Sequence, residues 1–339
     1  MTRNTTLTLC SRPQGALKAS DFELKDLPVP QPAEGQVLIR TLYGSIDPGT
    51  RILFGVEDGY MTPVAMGVPL VCMTLGQVVE SRDPKYPKDA LMMGFGALAE
   101  YSLITPGINT GLVDRSLSPK LSNHMSVFGP AGVTAYAGLL AGGWPKAGET
   151  VLMSTAAGSV GALAAQIARI LGCHVVGMTG GPEKCAKLKN EYRLHEAIDY
   201  RGKSMQELAG AIKAAAPKGV DFYFDNVGGI QLDAALANMN WEGRMAVCGM
   251  ISQYEGQPAP QMHNLFQIVA KVLMIKGFLS FTYQDQYTKM RQDMAGWMKS
   301  GELIVHEDIA DGLANAPNAY MKLFTGANKG KSMVKIADL

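Results

Sequence analysis

The residues best suited to chemistry lie between 150 and 161, Thr-Val-Leu-Met-Ser-Thr-Ala-Ala-Gly-Ser-Val-Gly. Val151, Leu152 and Met153 are a short apolar run bounded by Gly148 and small residues, the pattern of a buried strand. Ala156-x-Gly158-x-x-Gly161 then opens a helical pattern that continues through Ala164, Ile167, Ala168 and Leu171. A strand, a tight turn of small residues and a helix N-terminus together form a phosphate-binding device. Gly158 lets backbone N–H groups approach a pyrophosphate, and Gly161 lets the helix pack close to the strand. The unpaired donors and positive dipole end of the helix complement the phosphate charge. Ala156 stands where the dinucleotide fingerprint has its first glycine, so the motif alone leaves a buried or membrane helix over 150–171 open. Ser154, Thr155, Gln166, Arg169 and the two glycines argue against a membrane span.

A second set of residues bears on which nucleotide would sit there. In an NAD-binding unit a carboxylate about 20 residues past the glycines, at the end of the second strand, takes the ribose hydroxyls. Here that strand reads His174-Val-Val-Gly-Met-Thr179 and ends in Gly180-Gly181-Pro182-Glu183-Lys184, with no carboxylate at its tip. Lys184 would attract a 2′-phosphate, whereas Glu183 turned to the ribose would favour NAD. The residues alone leave both open.

The elements that must hold these groups follow from the pattern on either side. Residues 1–125 are punctuated by prolines and carry short β-type runs such as Gln36–Arg40, Gly76–Glu80 and Glu100–Ile104, which predicts a mostly β domain. Gly129-Pro-Ala-Gly-Val-Thr-Ala-Tyr136 leads into a small-residue helix that ends at Gly142-Gly143. Strands are then expected at 150–154, 174–179, 196–199, 220–225, 244–249 and 273–279. Helices are expected at 159–171, 182–192, 204–215, 230–239, 262–271 and 284–299. Such alternation means a parallel sheet covered on both faces, with the nucleotide at the carboxyl ends of its strands. Ser332–Ile336 closes the chain with another β-type run, so residues 1–125 and 300–339 are expected to form one domain and 126–299 the other. The active site is expected in the cleft between them.

Composition narrows the function class. The chain has 339 residues, 47% hydrophobic and 18% charged, enough for two packed domains and too apolar for disorder. A net charge of +1 without charge blocks argues against nucleic acid as a partner. The N-terminus lacks the apolar core of a signal peptide, and a cytoplasmic protein without membrane partners is expected. Cys10, Cys72, Cys173, Cys185 and Cys248 and the five histidines show no ligand spacing, so no metal site is expected.

Three motifs carry a family resemblance. Ala156-Ala-Gly-Ser-Val-Gly161, Phe224-Asp-Asn-Val-Gly-Gly229 and Cys248-Gly-Met-Ile-Ser-Gln-Tyr254 resemble the zinc-independent medium-chain dehydrogenase/reductases. The branch is the one holding prostaglandin reductases, alkenal double-bond reductases and curcumin-reductase-like enzymes. Asn328-Lys-Gly-Lys331 and Gly129–Tyr136 are similar to further motifs of that branch, and the likeness runs from about residue 35 to 336 in the same order. It implies a GroES-like, mostly β catalytic domain joined to a Rossmann domain with a doubly wound parallel sheet, and often a homodimer. It also implies NADPH-dependent reduction of the C=C bond of α,β-unsaturated aldehydes or ketones. Carried over, Lys184 and Tyr200 would contact the 2′-phosphate, which selects NADP, and Gly158, Ser159 and Val160 would lie on the pyrophosphate. Asn226 would touch a ribose, while Phe278, Leu279 and Asn328 would hold the nicotinamide end. Gly180, Cys248, Ser252, Thr134 and Pro130 complete the implied cofactor set, and Tyr43, Asp47, Arg51 and Phe278 the substrate pocket.

Tyr254 would sit near the nicotinamide ribose and the substrate oxygen as the catalytic residue. Hydride delivered to the β-carbon of an enone drives negative charge onto the carbonyl oxygen, and a tyrosine or ribose hydroxyl can donate a hydrogen bond to that enolate. Its plainer reading is an aromatic that caps the loop after the fifth strand. Zinc alcohol dehydrogenases carry a Cys ligand where this chain has Tyr43-Gly-Ser-Ile-Asp-Pro48, and a His-Glu pair absent around Gly67–Val71, so zinc-assisted alcohol oxidation is not expected. Gly49, Leu98 and Glu255 depart from the branch, and the loss of two aromatic rings implies a wider or reshaped pocket. A quinone oxidoreductase on the same fold, and an NADPH-binding sensor without turnover, are the competing readings.

Overall fold

In a computed structural model that describes residues 3–55, 62–256, 258 and 261–339, the chain divides into two units. One is Met1–Met125 with Glu307–Leu339, the other Ser126–His306. The first stretch carries β1 (Arg3–Leu9), β2 (Phe22–Pro28), β3 (Val37–Ser45), β4 (Val71–Ser81), β5 (Leu91–Ala97), β6 (Tyr101–Ile104), β7 (Gly111–Leu112) and the short α1 (Ser122–Met125). The middle carries α2 (Pro130–Ala141), β8 (Thr150–Met153), α3 (Ser159–Ile170), β9 (His174–Thr179), α4 (Pro182–Asn190), β10 (Glu196–Asp199) and α5 (Met205–Ala215). It continues with β11 (Val220–Asp225), α6 (Gly229–Asn238), β12 (Met239–Val247), α7 (Gln267–Ala270), β13 (Met274–Gly277) and α8 (Tyr287–Lys299). The last stretch holds β14 (Glu307–Asp311), α9 (Ala316–Thr325) and β15 (Lys331–Lys335).

The middle unit is the doubly wound sheet that the alternation requires. Its six strands are all parallel, in the order β10-β9-β8-β11-β12-β13. Every residue of β8 is buried, as expected for a strand covered on both faces. The order reverses between β8 and β11, and at such a switch point the loops leaving the carboxyl ends part to form a crevice. Leu152, Val176, Met178, Leu208, Ile212, Tyr223 and Met245 pack one core of this unit.

Three expected elements differ. β12 begins at Met239 because α6 runs straight into it, and its register shifts by a bulge before Arg244, with Glu242 at φ 56°. The bulge puts Trp241, Glu242 and Gly243 inside the strand and hides it from a two-residue period. The helix expected over 262–271 shortens to α7, since the Asp233 carboxylate takes the N–H groups of His263 (3.0 Å) and Asn264 (2.8 Å) and holds them as a loop. α8 starts only at Tyr287, after a 3₁₀ turn kinked at Tyr283.

In the other unit, β3 sits at the centre of a seven-stranded sheet. Its path is β14-β15-β3-β4-β5-β7, with β6 also on β3. The final run Ser332–Ile336 supplies most of β15, which pairs antiparallel with β3, Met333 opposite Ser45. β1 and β2 form a separate antiparallel pair whose Leu7, Leu9 and Phe22 face Phe54 and Tyr320. The Phe22 and Tyr320 rings stack at 5.9 Å and Phe54 meets both edge-on. Each such buried ring contributes about 1.5–3 kcal/mol by leaving water.

Candidate active site

The turn between β8 and α3 shows why each small residue is there. Thr155 takes the left-handed conformation, φ 50°, and the turn closes by Gly158 N–H donating to Thr155 O at 2.8 Å. A Cβ on Gly158 would lie 2.7 Å from Thr155 Cγ2, and one on Gly161 2.4 Å from Thr155 O, so neither position admits a side chain. Ala156 is tolerated where a glycine is usual because the space has been made elsewhere. A Cβ on Gly177 of β9 would come 2.8 Å from the Ala156 methyl, so the compensating glycine is on the neighbouring strand. Gly158 is the N-cap and no side chain caps α3, so the N–H groups of Ser159 and Val160 are those an anion would meet.

At the tips of β9 and β10 a second cluster forms. Asp199 accepts from Gly181 N–H at 2.8 Å and Arg201 N–H at 3.0 Å, which ties the two strand ends together. The Gly181 bond above all holds the Asp199 carboxyl below the usual range. Tyr200 places its hydroxyl 3.3 Å from where a Gly180 Cβ would be, and the Arg201 guanidinium lies closer still, its Nε at 2.8 Å. Lys184 lies in the first turn of α4. The sequence pattern brought out Lys184 and the family resemblance Gly180 and Tyr200, but neither brought out Arg201, whose signal is a cation two residues past the Asp199 that ends β10.

The loops leaving β11 and β12 are laced to each other. Asp225, fully buried, accepts from Tyr223 Oη (2.8 Å), Val227 N–H (2.9 Å) and Gly228 N–H (3.0 Å); burial pushes its carboxyl up against those donors. It fixes the Gly228-Gly229 turn, where both glycines have positive φ, and is a positioning residue the motif contained without its role being visible. Asn226 donates its N–H to Ser154 Oγ (2.7 Å) and its carboxamide Nδ2 to Ser154 O (2.9 Å), which staples the ends of β8 and β11. Ser252 Oγ donates to Val227 O at 2.6 Å, and Cys248 N–H to Asp225 O at 2.7 Å. Burial raises the Cys248 thiol to about 12, which disfavours its thiolate form.

Tyr254 belongs to this loop pair. Its hydroxyl accepts the Met250 N–H at 3.2 Å, and a Cβ on Gly249 would come within 2.9 Å of it, so Gly249 makes the room. Burial raises the phenol above its ordinary value, with the Met250 bond working against it. The hydroxyl therefore keeps its proton as a donor while its lone pair is engaged. Phe278, just past β13, packs edge-on against Phe224 at 6.1 Å, and both rings press on Gly138 of α2. Leu279 is exposed, and Pro130 and Thr134 stand in the first turns of α2.

In the other unit, Tyr43 and Asp47 lie at and beyond the end of β3. Asp47 accepts from Lys331 Nζ at 2.7 Å and from Ser45 Oγ, and Lys331, buried, donates also to Ser45 Oγ (2.6 Å) and to the carbonyls of Ile46 and Ser332. Asn328 donates to Gly330 O at 3.0 Å, and the motif Asn328–Lys331 thus anchors β15 to the Asp47 loop. Arg51 is turned inward to the carbonyls of Gly15 (3.0 Å) and Pro13 (3.4 Å), supporting a loop. Leu98 is a core residue seated over Gly44, whose Cβ would come 2.4 Å from it. A leucine there fills the interior of this unit. Among the described residues no three His, Cys, Asp or Glu side chains converge as metal ligands do.

Residues 5–137 match the family described as the N-terminal domain of oxidoreductase, and residues 159–296 the one described as zinc-binding dehydrogenase. The chain is 41% identical over 328 residues to the 2-alkenal reductase (NADP(+)-dependent) of Nicotiana tabacum, covering 95% of this chain and 94% of that one. It belongs to the zinc-independent medium-chain dehydrogenase/reductases. Within that family it is 36% identical to the NADPH-dependent curcumin reductase of Escherichia coli (strain K12), over 99% of this chain and 97% of that one. The crystal structure of CurA in complex with NADPH from Vibrio vulnificus superposes with a TM-score of 0.90 at 31% identity, covering 99% and 100% of the two chains. As a medium-chain dehydrogenase/reductase the protein is an oxidoreductase.

Proposed function

We propose that the protein reduces the carbon–carbon double bond of an α,β-unsaturated aldehyde or ketone. NADP(H) is its cofactor. The residues present fit it: Gly158 and Gly161 leave a turn that any Cβ would fill, beneath an uncapped helix N-terminus, and Lys184 in the first turn of α4 and the Tyr200 hydroxyl beside Gly180 stand near the tip of the second strand, where the Asp199 carboxylate is taken by backbone N–H groups. Gly158, Ser159 and Val160 would hold the pyrophosphate, and Asn226, Ser252 and Phe278 would bound the nicotinamide half. When bound, the cofactor supplies a hydride.

The observation that carries the reading is the Tyr254 hydroxyl. It sits in the loop at the carboxyl end of β12 and accepts a backbone N–H, and burial raises the phenol further above neutrality. A phenol in that state donates a hydrogen bond to an oxygen that becomes anionic, which is what an enone carbonyl does once its β-carbon has received hydride. No Lewis acid is required, because the charge is spread over an enolate.

Two further parts of the proposal concern the whole chain. The cysteines are free, which fits a reducing, cytoplasmic compartment. A homodimer is supported by β13, the edge of its sheet, with Phe266, Val269, Val272 and Ile275 exposed around it. The reaction is tested by the product formed from NADPH and a 2-alkenal or aryl enone. A saturated carbonyl compound is expected. Turnover of a 1,4-quinone alone, or tight NADPH binding without any turnover, would replace this reading by a quinone reductase or a sensor.

A further inference from the structure

The glycine pair that ends β9 is occupied by a side chain from the next strand. A Cβ on Gly180 would lie 2.8 Å from Arg201 Nε and 3.4 Å from Cζ, and one on Gly181 3.2 Å from Nη1. The guanidinium therefore lies along bare backbone, with the Tyr200 hydroxyl 3.3 Å from the same Gly180 position. Its placement is fixed from below. One oxygen of Asp199 takes both the Gly181 and the Arg201 backbone N–H, so the tips of β9 and β10 cannot slide apart. That also commits the nearby carboxylate to backbone donors, away from the role of a ribose acceptor.

In dinucleotide-binding units the tip of the second strand faces the adenosine ribose, where a carboxylate takes the 2′-hydroxyl and an arginine accommodates a 2′-phosphate. We propose that Arg201 is the residue that selects NADPH over NADH, its planar fork holding two oxygens of the 2′-phosphate. This rests on the NADP(H) reading and names the group that enforces it. Lys184 offers a point charge and Tyr200 a neutral donor, but only a guanidinium gives two parallel, charge-assisted bonds to one phosphate. Gly180 and Gly181 are then glycines so that the fork lies flat against the chain, and Asp199 is a positioning residue.

The test is a set of dissociation constants for NADPH, NADH and 2′,5′-ADP, from nicotinamide fluorescence and calorimetry. Arg201→Gln is expected to weaken NADPH and 2′,5′-ADP about 10- to 100-fold while NADH stays within about twofold, the range for the net loss of one charge-assisted bond where the Gln amide keeps the other. Arg201→Lys recovers part of the loss. Gly180→Ala keeps the charge but displaces the fork, and is expected to weaken NADPH severalfold with NADH unchanged. Equal loss for NADPH and NADH in Arg201→Gln would overturn the proposal by making Arg201 a prop of the turn. NADPH and NADH binding both unchanged in Arg201→Gln would overturn it in favour of Lys184 and Tyr200. A wild-type protein that binds NADH as tightly as NADPH and ignores 2′,5′-ADP would overturn the NADP(H) reading itself, and it does so without any variant.

Discussion

In the proposed reaction Tyr254 is the residue that donates to the enolate oxygen. Tyr254→Phe removes a hydroxyl and little else, because the ring stays half-buried and only the Met250 N–H loses a partner. The expected result is a fall in kcat for enone reduction of about 10- to 100-fold, below the full loss of an oxyanion donor because a ribose hydroxyl can share the charge. NADPH affinity is expected to be unchanged. The pH dependence has a definite sign: burial raises the phenol, so its protonated form persists at and above pH ~10, where a free tyrosine would titrate. A pH–rate profile of the wild type should therefore show no loss attributable to Tyr254 below that point. A silent Tyr254→Phe would return the residue to a loop-capping role. The β8–α3 turn was legible in the sequence because its small residues are local, whereas the role proposed for Tyr254 came from the family resemblance. Arg201 was not legible, since it lies on Gly180 and Gly181, which only the strand order brings beside it, and Asp225 stood inside a motif whose letters do not show its bonds to Tyr223, Val227 and Gly228.

The β8–α3 turn shows how one element borrows space from another. With Ala156 in place of the usual first glycine, the motif reads as weakened, yet the turn is intact because Gly177 opposes it across β8 and β9. Gly177→Ala is expected to destabilise the fold by about 1–3 kcal/mol, since the new methyl meets Ala156 Cβ at 2.8 Å and Leu188 Cδ1 at 2.7 Å. Adding Ala156→Gly should recover part of that loss, the part owed to the Ala156 contact, as coupled neighbours do. Urea unfolding of the two single variants and the double variant measures it; strict additivity would refute the coupling. Elements with regular periods, β8 to β11 with α3 to α5, were legible from the sequence to within a residue or two. Those set by long-range capture were not. Asp233 holding His263 and Asn264 shortens α7, and the bulge at Glu242 lengthens β12, neither of which leaves a periodic trace.

At the scale of the whole molecule, the unpaired edge of β13 and its exposed apolar neighbours predict a second copy of the chain. Light scattering should report a dimer, and Val269→Lys combined with Ile275→Lys should yield a monomer that still binds NADPH; a monomeric wild type would remove the homodimer from the account. The strand-helix alternation made the parallel sheet legible, while the β1–β2 pair and the buried Lys331–Asp47 anchor depend on contacts across some 20 to nearly 300 residues of chain. Which bond receives the hydride is read from where the label of the cofactor ends up. NADPH deuterated at both nicotinamide C4 positions is incubated with the protein and a 2-alkenal, and the label is located in the product by NMR. The expected product is a saturated aldehyde with deuterium at its β-carbon. Deuterium on the carbinol carbon of an allylic alcohol would contradict it.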